Sequence, residues 1–161
     1  MSIYVKLDGI SGDVTTQDYQ GWIQCLHMYF GGASKKVSTT VGDTNNRVQS
    51  RPYFAEIALV KHSDCSSPNI FAAAHSSQPL DKIEIQFVAT NDNPAPYEKY
   101  VLTNAYISHV SREFSAGQDR PLEFLTINFE KIETTYYPHN SQGQMGSPIS
   151  SGYNLAEAVA M

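Results

Sequence analysis

Charge is scarce in this sequence of 161 residues. Asp, Glu, Lys and Arg together make up 17% of it, where the surface of a soluble domain usually carries about 25–35%. A surface poor in charge and rich in Ser, Thr, Asn, Gln and Tyr suits a protein that hides much of itself in subunit contacts. Basic residues are scarcer than acidic ones, 11 against 16, for a formal net charge of -5. Affinity for nucleic acid comes largely from phosphate contacts and needs a basic face, so no nucleic-acid partner is expected. Cysteine occurs only twice, at Cys25 and Cys65. A small domain stapled by disulfides carries more, and two reduced thiols fit folding in the cytosol. The opening MSIYVKLDGI lacks a basic region followed by a long apolar run, so no Sec signal is read there. No stretch approaches the ~18 apolar residues of a membrane span. Membrane insertion is therefore not expected.

Catalytic signatures are equally thin. The sequence has neither a phosphate-cradling glycine motif nor HExxH. Gly9 to Gly12 (GISG) has the wrong spacing for a nucleophile elbow. The five histidines are scattered, one per segment. His62 and Cys65 lie three apart, but zinc wants three or four ligands and no second pair is visible. Asp8 and Asp13 flank a glycine-containing turn, where Asp is favoured for backbone reasons. No catalytic residue, metal or cofactor is expected.

What the sequence does contain is β pattern. Ile3, Val5 and Leu7 alternate with Tyr4 and Lys6. Gly21 to Phe30 sets Trp22, Leu26, Met28 and Phe30 on one face and Ile23, Cys25, His27 and Tyr29 on the other. Tyr53 to Val60 and Ile83 to Phe87 alternate likewise. Tyr97 to Val110 is apolar on both faces. Glu123 to Tyr137 runs through Leu125, Ile127 and Phe129, then shifts phase to Ile132. A phase shift within one strand predicts a bulge or bend, the device by which sheets turn corners. One short helix is predicted: Ser67 as N-cap, Pro68 at the first helical position, and Ile70, Phe71 and Ala74 as its apolar side.

Gly31 to Arg51 breaks the pattern. Loops beyond ~15 residues are uncommon in compact domains. This one holds Lys35, Lys36, Arg47 and Arg51. Two readings stay open: a disordered surface loop, or an arm that orders against a neighbouring subunit. The stretch from Pro138 to Ser151 is rich in Gly, Ser, Gln and Pro without core pattern, and apolar character returns at Tyr153 and Leu155.

In their order, these segments resemble a known family. Tyr4 to Asp13 (YVKLDGISGD) and Gly21 to Leu26 (GWIQCL) resemble the first two strands of the haemolysin-coregulated protein (Hcp) family of type VI secretion. Val60 to Ala74 (VKHSDCSSPNIFAAA) resembles its strand and Ser-x-Pro helix entry. Tyr100 to Ser111 and Glu123 to Ile132 are similar to its two long late strands, and Gly152 to Leu155 (GYNL) to its ending. The departures are Gly-Asp-Val at 12–14, where Gly-Glu-Ser is commoner, and a 31–51 loop with less glycine.

The resemblance implies a mainly β fold: two antiparallel sheets forming a small closed β-barrel with one short lateral α-helix, as in phage tail tubes. It implies a single domain over 1–161 without a C-terminal effector extension. It implies a structural protein, not an enzyme. Six copies form a ring, and the rings stack into a tube inside a contractile sheath. The tube carries a spike at its tip and small effectors in its lumen, and it is secreted into the medium or a target cell. On that reading, Lys35, Lys36, Arg47 and Arg51 are expected to meet Asp92 or Glu98 of the next ring, with solvated loop charge as the competing account. His27 and Tyr29 are expected to face the lumen. Two readings of other classes compete: a monomeric ligand-binding β-barrel carrier with an apolar cavity, and a small hydrolase with a dispersed triad.

Overall fold

The computed structural model describes residues 1–39, 47–90 and 95–161. These residues are mainly β, with one short helix among them and antiparallel pairing in every sheet. β1 (Ser2–Leu7) pairs with β2 (Ile23–Cys25) on one edge and with β9 (Leu80–Val88) on the other. β9 pairs with β10 (Pro96–Glu113), and β10 with β11 (Leu122–Tyr136). The remaining edge of β11 is shared. Its first half holds β8 (Ile57–His62), which pairs with β3 (His27–Phe30). Its second half holds β12 (Ile149–Asn154), which pairs with β13 (Val159–Ala160). Sharing β11 joins into one nine-stranded ladder what the sequence reading treated as two sheets. Only Leu26 separates β2 from β3, and its N–H donates to Val60 O at 2.7 Å.

The core lies on one face of this ladder, where Val5, Ile57, Ile83, Ile85, Leu102 and Ile127 are almost completely buried. Each such side chain contributes about 1.5–3 kcal/mol. The phase shift expected in β11 is present, with Phe129 and Ile132 both inward, and two neighbouring strands share it. In β10, Leu102 and Ala105 are both buried, and in β9 Leu80 and Ile83 both face the core. Asn104 stands in this row with φ 51, between the pairs Thr103–Lys131 and Ala105–Phe129. Its side-chain amide donates to Glu130. Asn tolerates the left-handed region better than other residues with a Cβ. β10 slips register against β11 again between Ile107 and His109.

Two expectations are corrected and one is sharpened. Tyr4 lies on the same face of β1 as Lys6, as expected, but it is not exposed there. It is buried beneath Tyr19, with ring centroids 4.6 Å apart, because residues 14–22 fold back over the second face of β1. The two faces read for Gly21 to Phe30 are not continuous. Ile23 and Cys25 are in the core, and so is the side on which Met28 and Phe30 pack, while Leu26 and His27 are both exposed. The chain bends at Leu26 as it passes from β1 to β8, and one extra residue reverses the alternation. The helix α1 (Ser67–His75) begins one residue earlier than expected. Ser66 is its N-cap and Ser67 lies inside it, held against the sheet by other bonds. Ile70 fills the core, whereas Phe71 is exposed.

The described parts of the segment read as a loop at 31–51 form a ribbon. β4 (Ala33–Ser34) pairs with β7 (Tyr53–Phe54), and β5 (Val37–Thr39) with β6 (Arg47–Gln49). These short ladders prolong the β3–β8 hairpin into an arm. No helix among the described residues is long and apolar enough to cross a membrane.

Candidate functional site

The registers give the ladder two distinct ends. At the first end, His62 pairs with Leu122 and Leu122 with Glu113, and the turn of residues 114–121 closes β10 onto β11. At the second end, Glu98 pairs with Tyr136. β3 runs away from the first end, from His27 opposite Val60 to Phe30 opposite Ile57. The arm continues in that direction. Phe54 stacks on Tyr153 with centroids 5.0 Å apart, level with Ile132 in the ladder.

Lys35, Lys36 and Arg51 are exposed on the arm. Lys35 Nζ donates to Gln49 Oε1 at 2.8 Å across the ribbon, and the Lys36 and Ser50 backbones are bonded to each other's residue. The backbone of Arg47 pairs with Thr39, and its side chain lies outside the described residues. So does Asp92, the carboxylate expected to face the arm. Glu98, the other expected acceptor, takes a hydrogen bond from Tyr100 Oη at 2.9 Å and stands at the same end as the arm. His27 and Tyr29 are exposed side by side on the face of β3 away from the core, with Tyr29 at 72%.

At the first end is a cleft of about 760 Å³ that the sequence reading did not anticipate. Asp13, Gln24, His62, Asp64, Asp119 and Arg120 supply most of its polar lining. Gly12 sets the approach of the turn before Asp13. A Cβ there would sit 2.5 Å from Trp22 O and 2.7 Å from an Ile23 side-chain carbon, so only glycine fits. The Cys65 side chain bonded to Asp13 is the chief reason its carboxyl titrates below the ordinary range, with Arg120 and Lys61 adding to the effect. The Cys65 thiol, 3.5 Å from Ser11 O, is shifted up in turn, first by that bond to Asp13. Cys25, by contrast, is buried, and loss of solvent pushes its thiol up to about 12.

Beside the cleft a charge row crosses three strands, buried at Lys61 and Glu123 and exposed at Arg112. Lys61 on β8 and Arg112 on β10 both pair with Glu123 on β11. Lys61 Nζ is fully buried and donates to Glu123 Oε2 at 2.8 Å, Asp64 Oδ1 at 2.9 Å and His62 O at 2.8 Å. Ser67 Oγ donates to Glu123 Oε2 at 2.7 Å and accepts from Asp64 N. Arg112 Nε lies 2.8 Å from Glu123 Oε1, yet no hydrogen bond to that oxygen is aligned. The contact is an ion pair in the Coulombic sense and not an oriented bond. Arg112 also donates to Ser67 O and covers the Phe71 ring. The row thereby ties α1 to the sheet and fixes Asp64 at the edge of the cleft. Its sequence signal is legible after the fact. Lys61 continues the inward series Ile57, Leu59, and Glu123 opens the inward series Leu125, Ile127. Opposite charges at inward positions of two apolar strands mark a buried pair.

Among the described residues, no group of three or more His, Cys, Asp or Glu side chains is arranged to hold a metal ion. His62 and Cys65 are both exposed at the strand-to-helix turn.

The sequence profile of the family described as "Type VI secretion system effector, Hcp" matches residues 4–136. Protein hcp1 of Pseudomonas aeruginosa is 31% identical over 107 residues, a match spanning 65% of this chain and 65% of that relative. Three solved structures share the fold. One described as a type six secretion system protein superposes with a TM-score of 0.90 at 22% identity, covering 99% of both chains. Hcp1 from Salmonella typhimurium gives 0.78 at 21% identity over 99% of this chain and 98% of its own. A type VI secretion system effector from Yersinia pestis gives 0.73 at 19% identity over 94% of this chain and 98% of its own. The profile covers well over half of the sequence, and on that basis the chain belongs to the Hcp family of the type VI secretion system.

Proposed function

We propose that this chain is a structural, non-enzymatic subunit of the type VI secretion inner tube. Six copies form a ring, and rings stack into a tube with a spike at its tip. Contraction of a surrounding sheath expels the tube, with small effectors in its lumen, to the cell exterior or a target cell. The observation that carries this reading is the family match across residues 4–136. The two ends of the molecule also differ, as a head-to-tail assembly requires. The ladder closes into a barrel through the β2–β3 segment. Support for closure comes from that segment's pairing with β1 before Leu26 and with β8 after it. Lys35, Lys36, Arg47 and Arg51 belong to the contact between rings, and His27 and Tyr29 line the lumen. Exposure of His27 and Tyr29 on the non-core face is consistent with that position. The carrier reading gains nothing from the cleft, whose lining mixes polar and charged groups with Val14 and Leu26 and includes no Phe, Tyr or Trp side chain.

Native mass spectrometry of the purified protein tests the proposal. A dominant six-copy ring is expected. A monomer that persists at high concentration overturns the reading and favours the carrier. Replacing Tyr29 with Ala is expected to reduce protection of an effector held inside the ring, and unchanged protection removes the lumen assignment.

A further inference from the structure

Resting on the tube-subunit reading, we propose that the outward face of the β3–β8–β11–β10 strands selects an effector segment that combines cationic with aromatic side chains, and loosens its hold on acidification. The registers extend this face well beyond His27 and Tyr29. His27 stands opposite Val60, Val60 opposite Phe124, and Phe124 opposite Ser111. One step along, Tyr29, Ala58, Thr126 and His109 make the next row. Tyr106 and Asn128 follow, and Asn128 Nδ2 donates to Glu56 Oε1 at 3.1 Å. Paired residues point to one side of a sheet, and the alternate positions Ile57, Leu59, Leu125 and Ile127 are in the core. The rows therefore face away from it, and Tyr29, Tyr106 and Phe124 are exposed there. Aromatic rings gathered on an open face mark an interaction surface.

Charge on the face chooses the partner. The cations of these strand segments, Lys61 and Arg112, point to the other side and meet Glu123. What remains outward is acidic: Glu56 and Glu113, with Glu130 at the bend beside Asn104. The outward face of β1, β9 and the neighbouring halves of β10 and β11 is the reverse. Lys6, Lys82, Lys99 and Lys131 stand on it against Glu84 and Glu133, and Glu84 is tied to Lys82 and Lys99. Carboxylates beside exposed rings attract Lys and Arg by Coulomb forces and by cation–π contact, while an acidic segment meets like charge. Three histidines share the face: His27, His109, and His62 at the rim beside Asp13, Asp64, Asp119 and Arg120 of the cleft. Tyr29 and Tyr106 are the other titratable groups beside them. Histidine is the side chain that gains charge as pH falls below neutral, so acid sets cations against the carboxylates and repels a basic occupant.

The test uses the full-length protein and two fluorescent peptides of equal length, one alternating Arg with Trp and the other Glu with Trp, read by anisotropy at low salt. The Arg–Trp peptide is expected to bind roughly tenfold more tightly or better. Glu56→Gln/Glu113→Gln and Tyr29→Ser are each expected to weaken it several-fold. Asp13→Asn/Asp119→Asn, which discharges the cleft, is expected to leave it unchanged. Lowering the pH from about 7.5 to about 5.5 is expected to weaken binding to the unaltered protein, and to weaken it much less in His27→Gln/His109→Gln. Equal affinity for the two peptides, or binding lost with the cleft variant and kept with the face variants, overturns the assignment. Native mass spectrometry of the same sample separates the failures: six-copy rings that do not distinguish the peptides sink only this surface, and a persistent monomer sinks the tube reading on which it rests.

Discussion

Glu123 stands between two cations, with Lys61 on one neighbouring strand and Arg112 on the other. Taking ions out of water is costly, and such a row is stable only while each charge keeps its partner. Glu123→Gln removes one of the two carboxylates that balance the buried Lys61 and the charge that faces Arg112. The expected outcome is a loss of about 3 kcal/mol or more in urea unfolding, together with loosening of α1 seen as faster amide exchange at Ile70. The two thiols make a second contrast at single residues. Cys65 is exposed, but its hydrogen bond to the Asp13 carboxylate favours the thiol over the thiolate. Only the thiolate reacts with alkylating agents. At neutral pH Cys65 is therefore expected to alkylate more slowly than a free cysteine, speeding up as pH rises. Asp13→Asn removes the charge, and the reaction is expected to quicken. Cys25, buried and shifted further up, is expected to react only after unfolding.

Among the elements, β9, β10 and β11 bend together in a row around Asn104. All three strands then skip a residue in their inward alternation. Asn104→Val places a β-branched side chain at positive φ, which costs roughly 1–2 kcal/mol. Asn104→Gly relieves the steric demand but loses the bond to Glu130, so a smaller change is expected. Denaturant midpoints of the two variants measure the difference, and equal midpoints would remove the corner from this account. The arm shows a different lesson. β4, β5 and β6 form short ladders, yet the sequence from Gly31 to Arg51 reads as loop. Strands of two or three residues are too short to display an alternation, because alternation records burial along a strand and not hydrogen bonding.

In the whole molecule, the basic arm lies at one end of the ladder, and the cleft lined by Asp13, Asp64 and Asp119 lies at the other. Contacts between rings that depend on rim charges are expected to weaken steeply with ionic strength. Contacts within a ring, if largely apolar, are expected to change little. Light scattering through a salt titration should then show stacks shortening to single rings before any ring comes apart. Loss of rings and stacks at one salt concentration would mean that the two contacts share the same chemistry.

The inner residues of the long strands were legible from the sequence, since Ile83, Ile85, Leu125 and Ile127 alternate strictly and all are buried. The phase shift at Ile132 was legible too, and so was the helix start near Pro68. These features depend on local periodicity, which the chain carries in its own order of residues. The faces of β2 and β3, the burial of Tyr4 and the Lys61–Glu123–Arg112 row were not. Each depends on which distant strand lies alongside: β8 rather than β1 after Leu26, residues 14–22 over Tyr4, and β11 between β8 and β10. Tertiary pairing alone brings together groups as far apart in sequence as Asp13, Asp64 and Asp119, because the cleft is made by turns that meet only when the ladder forms.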